Sequence, residues 1–191
     1  MLTFLPLFVV LCAGAGVRAA NPYFPKGSVS DFEQTWYAKH LLAMKEPILS
    51  LTGKDRTYFA FRVLYLPTWG RPVAVRYEKK GDRFVRRSVK LSGDGGYDPG
   101  KIADQKETQI ERKEVDDLAT SLEKAGFWDM PVNDNVMGVD GSQLIIEVIK
   151  DGHHRVRVRW TPEHQTEKRG LAGLVNLYTA QFQTAGFWTK R

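Results

Sequence analysis

The sequence has almost no cysteine: Cys12 is the only one among 191 residues. This scarcity excludes a disulfide framework. Beyond residue 20 the chain has no apolar run of about 18 residues, which excludes a protein with several membrane spans. Extremes of composition are missing too, since 42% of the residues are hydrophobic and 26% are charged. These values exclude disordered, collagen-like and low-complexity proteins.

The N-terminal segment has the pattern of a removable export signal. Residues 2–15 are nearly all apolar, and small side chains around Ala19 offer a cleavage site after that residue. We therefore predict a signal peptide over residues 1–19, although no lysine or arginine precedes the apolar run. Its removal would take Cys12 with it and leave no thiol for catalysis or metal binding. The alternative is a retained membrane anchor, because about 17 apolar residues is the short limit for a span.

The charge balance is mildly basic, with a formal net charge of +6 at pH 7. Such a balance favours anionic neighbours, for example an anionic envelope component or an acidic protein partner. Nucleic acid is not expected as a partner, since no groove-reading motif accompanies the basic residues. No cofactor is expected either, because the glycine-rich segment 93–96 lacks the Lys-Ser/Thr pair of a phosphate-binding loop.

The pattern of apolar residues and breakers predicts an α+β protein. Residues 20–29 are expected to form a leader arm, and residues 30–191 a single domain. Ser30 and Glu33 form a capping-box pattern, which predicts the start of a helix. Helical spacing indicates helices over residues 31–45, 114–125 and 171–185; alternation and β-branched content indicate strands over residues 56–66, 73–79, 83–91, 102–112, 143–150 and 155–160.

These elements predict a single antiparallel sheet of five or six strands built from hairpins. Helices 114–125 and 171–185 are expected on one face, and the N-terminal helix at an edge. We expect three-residue loops over residues 80–82 and 150–152, because these registers gather the apolar side chains of each hairpin on one face. Ile146 would then face Val156.

Four acids lie in or beside two glycine-rich loops: Asp94, Asp98, Asp140 and Glu147. A pair of carboxylates about 5–9 Å apart could hydrolyse a glycosidic bond, so Asp98, Asp140 and Glu147 are weak catalytic candidates. The favoured interpretation is that the loop acids are turn residues that bond their own backbone. No metal site is expected, because His153 and His154 are adjacent and tend to point to opposite faces.

Basic side chains alternate along the last predicted strand at Arg155, Arg157 and Arg159, and Arg76 lies on the first hairpin. Alternate residues of a strand share a face, so these side chains are candidates for an anion-binding surface. The alternative is a solvated face that protects the sheet from edge pairing. Trp69 lies in a proline- and glycine-rich turn and is the best candidate for an exposed aromatic residue. It could stack on a sugar, insert into a partner or cover the end of the sheet.

Two segments carry a resemblance. Residues 138–143 read GVDGSQ and residues 159–163 read RWTPE, with GGYDPG upstream at residues 95–100. This pattern resembles an uncharacterised family of exported bacterial proteins with the segments G-L-D-G-x-Q-W and R-W-S-P-E. The chain differs from the family pattern at Val139, at Thr161 and at Leu144, which stands where the family has tryptophan. The resemblance implies bacterial export and no known activity, cofactor or catalytic residue.

The function expected from the sequence is that of a non-catalytic binding or structural module of the bacterial cell envelope, periplasmic or secreted. A membrane partner is expected only if the N-terminal segment is retained. The alternative is a carboxylate-dependent hydrolase that uses acids of segments 92–101 and 138–147.

Overall fold

The computed structural model describes residues 22–52 and 57–187 of the chain. The predicted signal peptide and the first residues of the leader arm lie outside these ranges. Six strands form one antiparallel sheet in the order β4-β3-β2-β1-β5-β6, which confirms the α+β class. The elements are α1 (Asp31–Ala43), α2 (Leu49–Thr52), β1 (Ala60–Pro67), β2 (Val73–Lys80), β3 (Arg83–Leu91), β4 (Ile102–Ile110), α3 (Arg112–Lys124), β5 (Ser142–Lys150), β6 (His153–Trp160) and α4 (Ala172–Thr184).

Both ends of helix α1 are capped by local hydrogen bonds. The predicted capping box is confirmed, because the backbone N–H of Ser30 donates to the Glu33 carboxylate and the N–H of Glu33 donates to the Ser30 hydroxyl. At the C-terminus Lys45 has a φ of 57°, and the N–H of Glu46 returns to the Leu41 carbonyl at 2.9 Å. This Schellman closure turns the chain sharply and directs Glu46 towards the sheet.

Both faces of the sheet are buried. One face packs against α3 and α4, through residues that include Val63, Val75, Ile146 and Leu174. The other face packs against α1 and the described part of the leader arm, in a cluster of Tyr23, Phe24, Tyr37, Leu41, Met44, Leu64, Leu66, Ala74, Val89, Leu91, Ile145, Val156 and Val158. The expectation that the N-terminal helix lies at an edge is therefore wrong. The inner strands are apolar on both sides, and a second layer is needed to cover them.

The predicted register of the second hairpin is also wrong. Lys150 pairs with His153, so the loop has two residues, Asp151 and Gly152. Their φ angles of 54° and 79° are those of the type I′ turn that two-residue hairpins favour. Ile146 consequently faces Arg157, and not Val156. A three-residue loop would gather the apolar residues on one face, but both faces of this sheet are buried, so apolar side chains are accommodated on either side.

The first hairpin departs from the expectation in the same way. Lys80 pairs with Arg83 across a two-residue turn, where Gly81 has a φ of 64°. Val85 then faces Glu78 and Val89 faces Ala74. Val89 and Ala74 belong to the layer covered by α1, while Val73 and Val75 lie on the α3/α4 side.

Charged side chains lie beneath the C-terminal end of α1, four of them buried and two, Glu78 and Arg87, partly buried; we call them the buried ion cluster. Its members are Glu46, Arg62, Arg76, Glu78, Arg87 and Glu147, three of each sign. Arg76 Nε lies 2.8 Å from the Glu46 carboxylate, and Arg62 Nε donates to the Glu147 carboxylate at 2.7 Å. Burial disfavours the charge on Arg76, but the carboxylates of Glu46 and Glu78 outweigh it and raise the pKa of the guanidinium. The burial of each charge in this cluster therefore depends on its partners.

Removal of one charge from this cluster should be costly. We predict that Glu147→Gln lowers the free energy of unfolding by about 3–5 kcal/mol, because the buried Arg62 then loses its nearest carboxylate and keeps only Glu46, at 3.5 Å. The matched control is Glu107→Gln, which breaks the exposed Lys80–Glu107 pair and should cost less than about 1 kcal/mol. Urea denaturation followed by circular dichroism measures both values. Equal losses in the two variants would contradict a stabilising role for the cluster.

Candidate functional site

Three loops meet at one end of the sheet, which we call the loop end. They are residues 68–72 between β1 and β2, residues 92–101 between β3 and β4, and the segment before β5. The Thr68 N–H donates to the Gly141 carbonyl at 2.8 Å, and the Gly95 N–H donates to the Gly70 carbonyl at 3.0 Å. A Cβ atom on Gly95 would lie 2.5 Å from the Pro67 carbonyl oxygen. Glycine is therefore required where these backbones touch.

Helix α1 is attached to the same loops by two side chains. The Trp36 indole N–H donates to the Gly95 carbonyl at 2.8 Å. The buried His40 ring lies between two carbonyls, with Nδ1 3.0 Å from the Trp36 oxygen and Nε2 3.3 Å from the Asp94 oxygen. These contacts fix the position of α1 relative to segment 92–101.

Trp69 lies on the surface of the loop end, and its side chain is 69% exposed. Its ring lies 4.8 Å from the Tyr97 ring, centroid to centroid, at an angle of 37°. Its indole N–H donates to the Asp140 carboxylate at 3.2 Å, and the Trp160 indole N–H donates to the Asp140 backbone carbonyl at 3.1 Å. The polar edges of both indoles are thus satisfied within the protein.

A cleft of about 400 Å³ opens between α1 and these loops, and we call it the loop-end cleft. It is lined by Phe32, Thr35, Trp36, Lys39, Thr68, Gly96, Tyr97, Val139 and Asp140. A second cleft of about 420 Å³ shares Phe32 and Trp36 with it and extends past Met137 to Trp160. Both volumes fall within the range of ligand sites, which are concave and mostly apolar with a few polar groups.

The loop end also gathers most of the exposed large hydrophobic side chains of the described residues. Val139 is 98% exposed and Met137 87% exposed, and Phe32, Trp69 and Tyr97 are exposed beside them. Contiguous apolar surface of this kind is rare on monomeric proteins and marks interaction sites. Aromatic residues and methionine are also the types that binding interfaces favour.

The acids proposed as catalytic candidates have separate environments. The Asp98 carboxylate accepts the Gly100 N–H at 2.7 Å, which is the turn contact of the favoured interpretation. The Asp140 carboxylate accepts the hydrogen bond from the Trp69 indole N–H. Glu147 is buried in the ion cluster and lies five residues beyond the start of β5 at Ser142, about 17 Å along the strand from the loop end. The structure therefore does not bring Glu147 to the loop end with the other two.

The expectation of an exposed basic face is wrong for three of its four members. Arg157 is 5% exposed and Arg159 2% exposed, and Arg76 lies in the buried ion cluster. Arg157 donates to the Phe127 and Trp128 carbonyls at 3.0 Å each. Arg159 donates to the Pro131 and Val132 carbonyls at 3.0 and 2.9 Å. Only Arg155 of this set remains exposed.

These arginines hold segment 127–132 against the edge of the sheet. The Val158 N–H on β6 donates to the Val132 carbonyl at 2.7 Å. The segment therefore also provides an acceptor for a backbone N–H group at the edge of the sheet. Burial, followed by the charges of Arg155 and Arg159, lowers the pKa of Arg157. A guanidinium suits this position because its five N–H groups can satisfy several carbonyls at once.

Sequence reasoning singled out Trp69 and Asp140 but missed most of the cleft. Helical spacing predicts that Phe32 and Trp36 share an apolar face of α1 that packs on the core, whereas Phe32 is exposed. Tyr97, Met137 and Val139 carried no signal as single residues. Their position is the one signal the sequence holds for them, since each lies in a glycine-containing loop that leads into a strand.

Among residues 22–52 and 57–187, no three His, Asp or Glu side chains converge as a metal site would require. Within the same ranges no helix is long and apolar enough to cross a membrane. Neither a known protein family nor a curated protein matches this chain, so the resemblance to exported bacterial proteins stays a prediction. The two segments that carry it pack together at the loop end, since a Cβ atom on Gly138 would lie 2.0 Å from the Trp160 ring.

The arginines of β6 give a test with a control on the same strand. We predict that Arg157→Met lowers the free energy of unfolding by about 1–3 kcal/mol, because the carbonyls of Phe127 and Trp128 lose their guanidinium donor. Arg155→Met removes the same side chain at an exposed position and should change stability by no more than about 0.5 kcal/mol. Urea denaturation of both variants measures the difference. A larger loss in Arg155→Met would contradict these assignments.

His40 predicts a pH dependence of stability. Burial lowers the pKa of His40 below its ordinary value of 6.5, so the unfolded chain binds a proton that the folded protein does not. The contribution of neutral His40 to the stability of the folded protein is therefore fully present above pH 6.5, and it is lost as the pH falls through the lowered pKa of the folded state. The wild type should lose more stability than His40→Asn between about pH 7.5 and about pH 5.0. Urea midpoints at both pH values measure this, and equal losses would contradict it.

Proposed function

We propose that the protein is a non-catalytic binding module of the bacterial cell envelope, periplasmic or secreted, and that the loop-end cleft is its binding site. The observation that carries this proposal is the exposed apolar surface around the cleft, centred on Trp69 and Val139. The periplasmic or secreted location of the protein is proposed from the predicted signal peptide and from the resemblance described above.

The aromatic side chains of the site are held in position before any ligand arrives. The indole N–H groups of Trp36, Trp69 and Trp160 all donate to acceptors of the protein. A ligand therefore meets apolar ring surface with little remaining rotational freedom. Such preorganisation improves affinity because less conformational entropy is lost on binding.

The chemistry of the cleft supports binding over catalysis. Asp140 is the only carboxylate among its lining residues, whereas glycosidic hydrolysis ordinarily uses two. The Asp140 carboxylate accepts a hydrogen bond from Trp69, which gives it a role in positioning the ring. The buried arginines leave the expected basic face with one exposed member, so the loop end is the better supported of the two surfaces.

Site-directed photo-crosslinking in the producing cells tests this proposal. A photoreactive amino acid at position 139 should form a discrete adduct, because that side chain lies at the rim of the cleft. The control is the same residue at position 113, an exposed site on α3, where we expect no adduct. The mass of the adduct then shows whether the partner is a protein, a glycan or a lipid. No adduct at position 139, or the same adducts at both positions, would overturn the proposal.

A further inference from the structure

The loop-end cleft carries two charges of opposite sign. Lys39 projects from α1 and Asp140 from the segment before β5, and both line the cleft. Neither makes an ion pair with another side chain of residues 22–52 and 57–187. A ligand of one charge would satisfy one of these groups and be repelled by the other. A ligand with a positive and a negative group could satisfy both.

The wall beside Asp140 suits the positive group of such a ligand. Aromatic ring faces attract ammonium groups, including quaternary ones. Tyr97 lines the cleft, and the Trp69 ring packs beside it at 4.8 Å. Because Trp69 donates to Oδ1 of Asp140, the second carboxylate oxygen can accept a contact from a ligand. Aromatic faces and a carboxylate thus stand together on one side of the cleft.

The opposite wall suits an anionic group. Lys39 is exposed and presents an ammonium group with three donors. The cleft contains no arginine, and its lining charges cancel, so a strongly anionic polymer is a poor match for it although the whole chain is basic.

The exposed side chains at the rim of the cleft indicate which kind of surface carries such a ligand. Val139, Met137 and Phe32 stand out from the protein beside the cleft, and Trp69 and Tyr97 join them. Tryptophan and tyrosine favour the boundary between water and the acyl region of a bilayer. A soluble ligand would leave these apolar tips in water, whereas a bilayer surface would cover them.

We propose that the loop-end cleft binds the zwitterionic headgroup of a phospholipid at a membrane surface. The ammonium group lies against Asp140 and against Tyr97, on which Trp69 packs. The phosphate lies near Lys39, and Val139 and Met137 enter the interfacial layer. This inference rests on the proposed binding function and names the ligand class of the same site. It requires no helix that crosses the membrane.

Vesicle binding by the protein purified from the producing cells tests the inference. The probes are vesicles of phosphatidylcholine or phosphatidylethanolamine–phosphatidylcholine, and the same vesicles with half of the lipid replaced by phosphatidylglycerol. We expect the protein to cosediment with the zwitterionic vesicles, and brominated lipids to quench its tryptophan emission. The anionic lipid should not strengthen binding. Binding that requires anionic lipid would overturn the proposal, since general basic attraction would then explain it.

Cleft variants separate headgroup recognition from apolar insertion. Asp140→Asn keeps an acceptor for Trp69 and removes the charge, and Lys39→Met removes the other charge; each should weaken binding about tenfold, as expected for the loss of one charged contact. Val139→Asp should abolish quenching. The control, Lys113→Met, removes an exposed lysine on α3 and should bind as the wild type does. Each variant differs from the wild type at a single site. Any contribution of residues 1–21 to vesicle binding is therefore the same in all of them and cancels in the comparison.

Competition distinguishes the remaining outcomes. Glycerophosphocholine carries the same charges without acyl chains and should compete with vesicles at millimolar concentration. Vesicle binding that neither this compound nor Asp140→Asn weakens would show apolar insertion alone and overturn the proposal. Binding of the free headgroup without vesicle binding would identify a soluble zwitterion and overturn the membrane assignment. An adduct at position 139 to a protein or glycan, without vesicle binding, would overturn this inference and leave the proposed binding function standing.

Discussion

The Glu46 carboxylate is the contact on which the arrangement of the protein depends. It follows α1 directly and forms ion pairs with Arg62, Arg76 and Arg87, which stand on three adjacent strands. A carboxylate can be buried at this point only because those guanidinium groups surround it. The cluster therefore fixes the end of α1 over the middle of the sheet, and the apolar side chains of α1 fill the rest of that face.

The position of α1 determines the shape of the loop end. With its C-terminus held at Glu46, the helix passes over the sheet so that His40 and Trp36 reach segment 92–101. The same helix carries Phe32 and Lys39 to the wall of the cleft. A shift of α1 would thus change both walls of the site, and the buried charges contribute to binding geometry without contacting a ligand. The stability of the core and the shape of the cleft are in this way linked through one helix.

Local features were predictable from the sequence, whereas long-range ones were not. The capping box at Ser30 depends on residues within a few positions, and the structure confirms it. The register predicted for the second hairpin was wrong because the alternating arginines of β6 are typical of a solvated face. Their acceptors are carbonyls about 30 residues earlier in the chain, and no local pattern indicates that contact. The cleft likewise joins α1 to loops more than 50 residues away.

The remaining surfaces explain why binding is assigned to the loop end. The faces of the sheet are covered by α1 on one side and by α3 and α4 on the other. At one edge segment 127–132 packs on β6, and at the other β4 presents mostly polar, exposed side chains, a composition that discourages pairing with another strand. Apolar side chains at the loop end have no such cover within the described residues. Since their exposure is unfavourable in water, a partner that buries them would gain this free energy, and the fixed indole rings would direct where it binds.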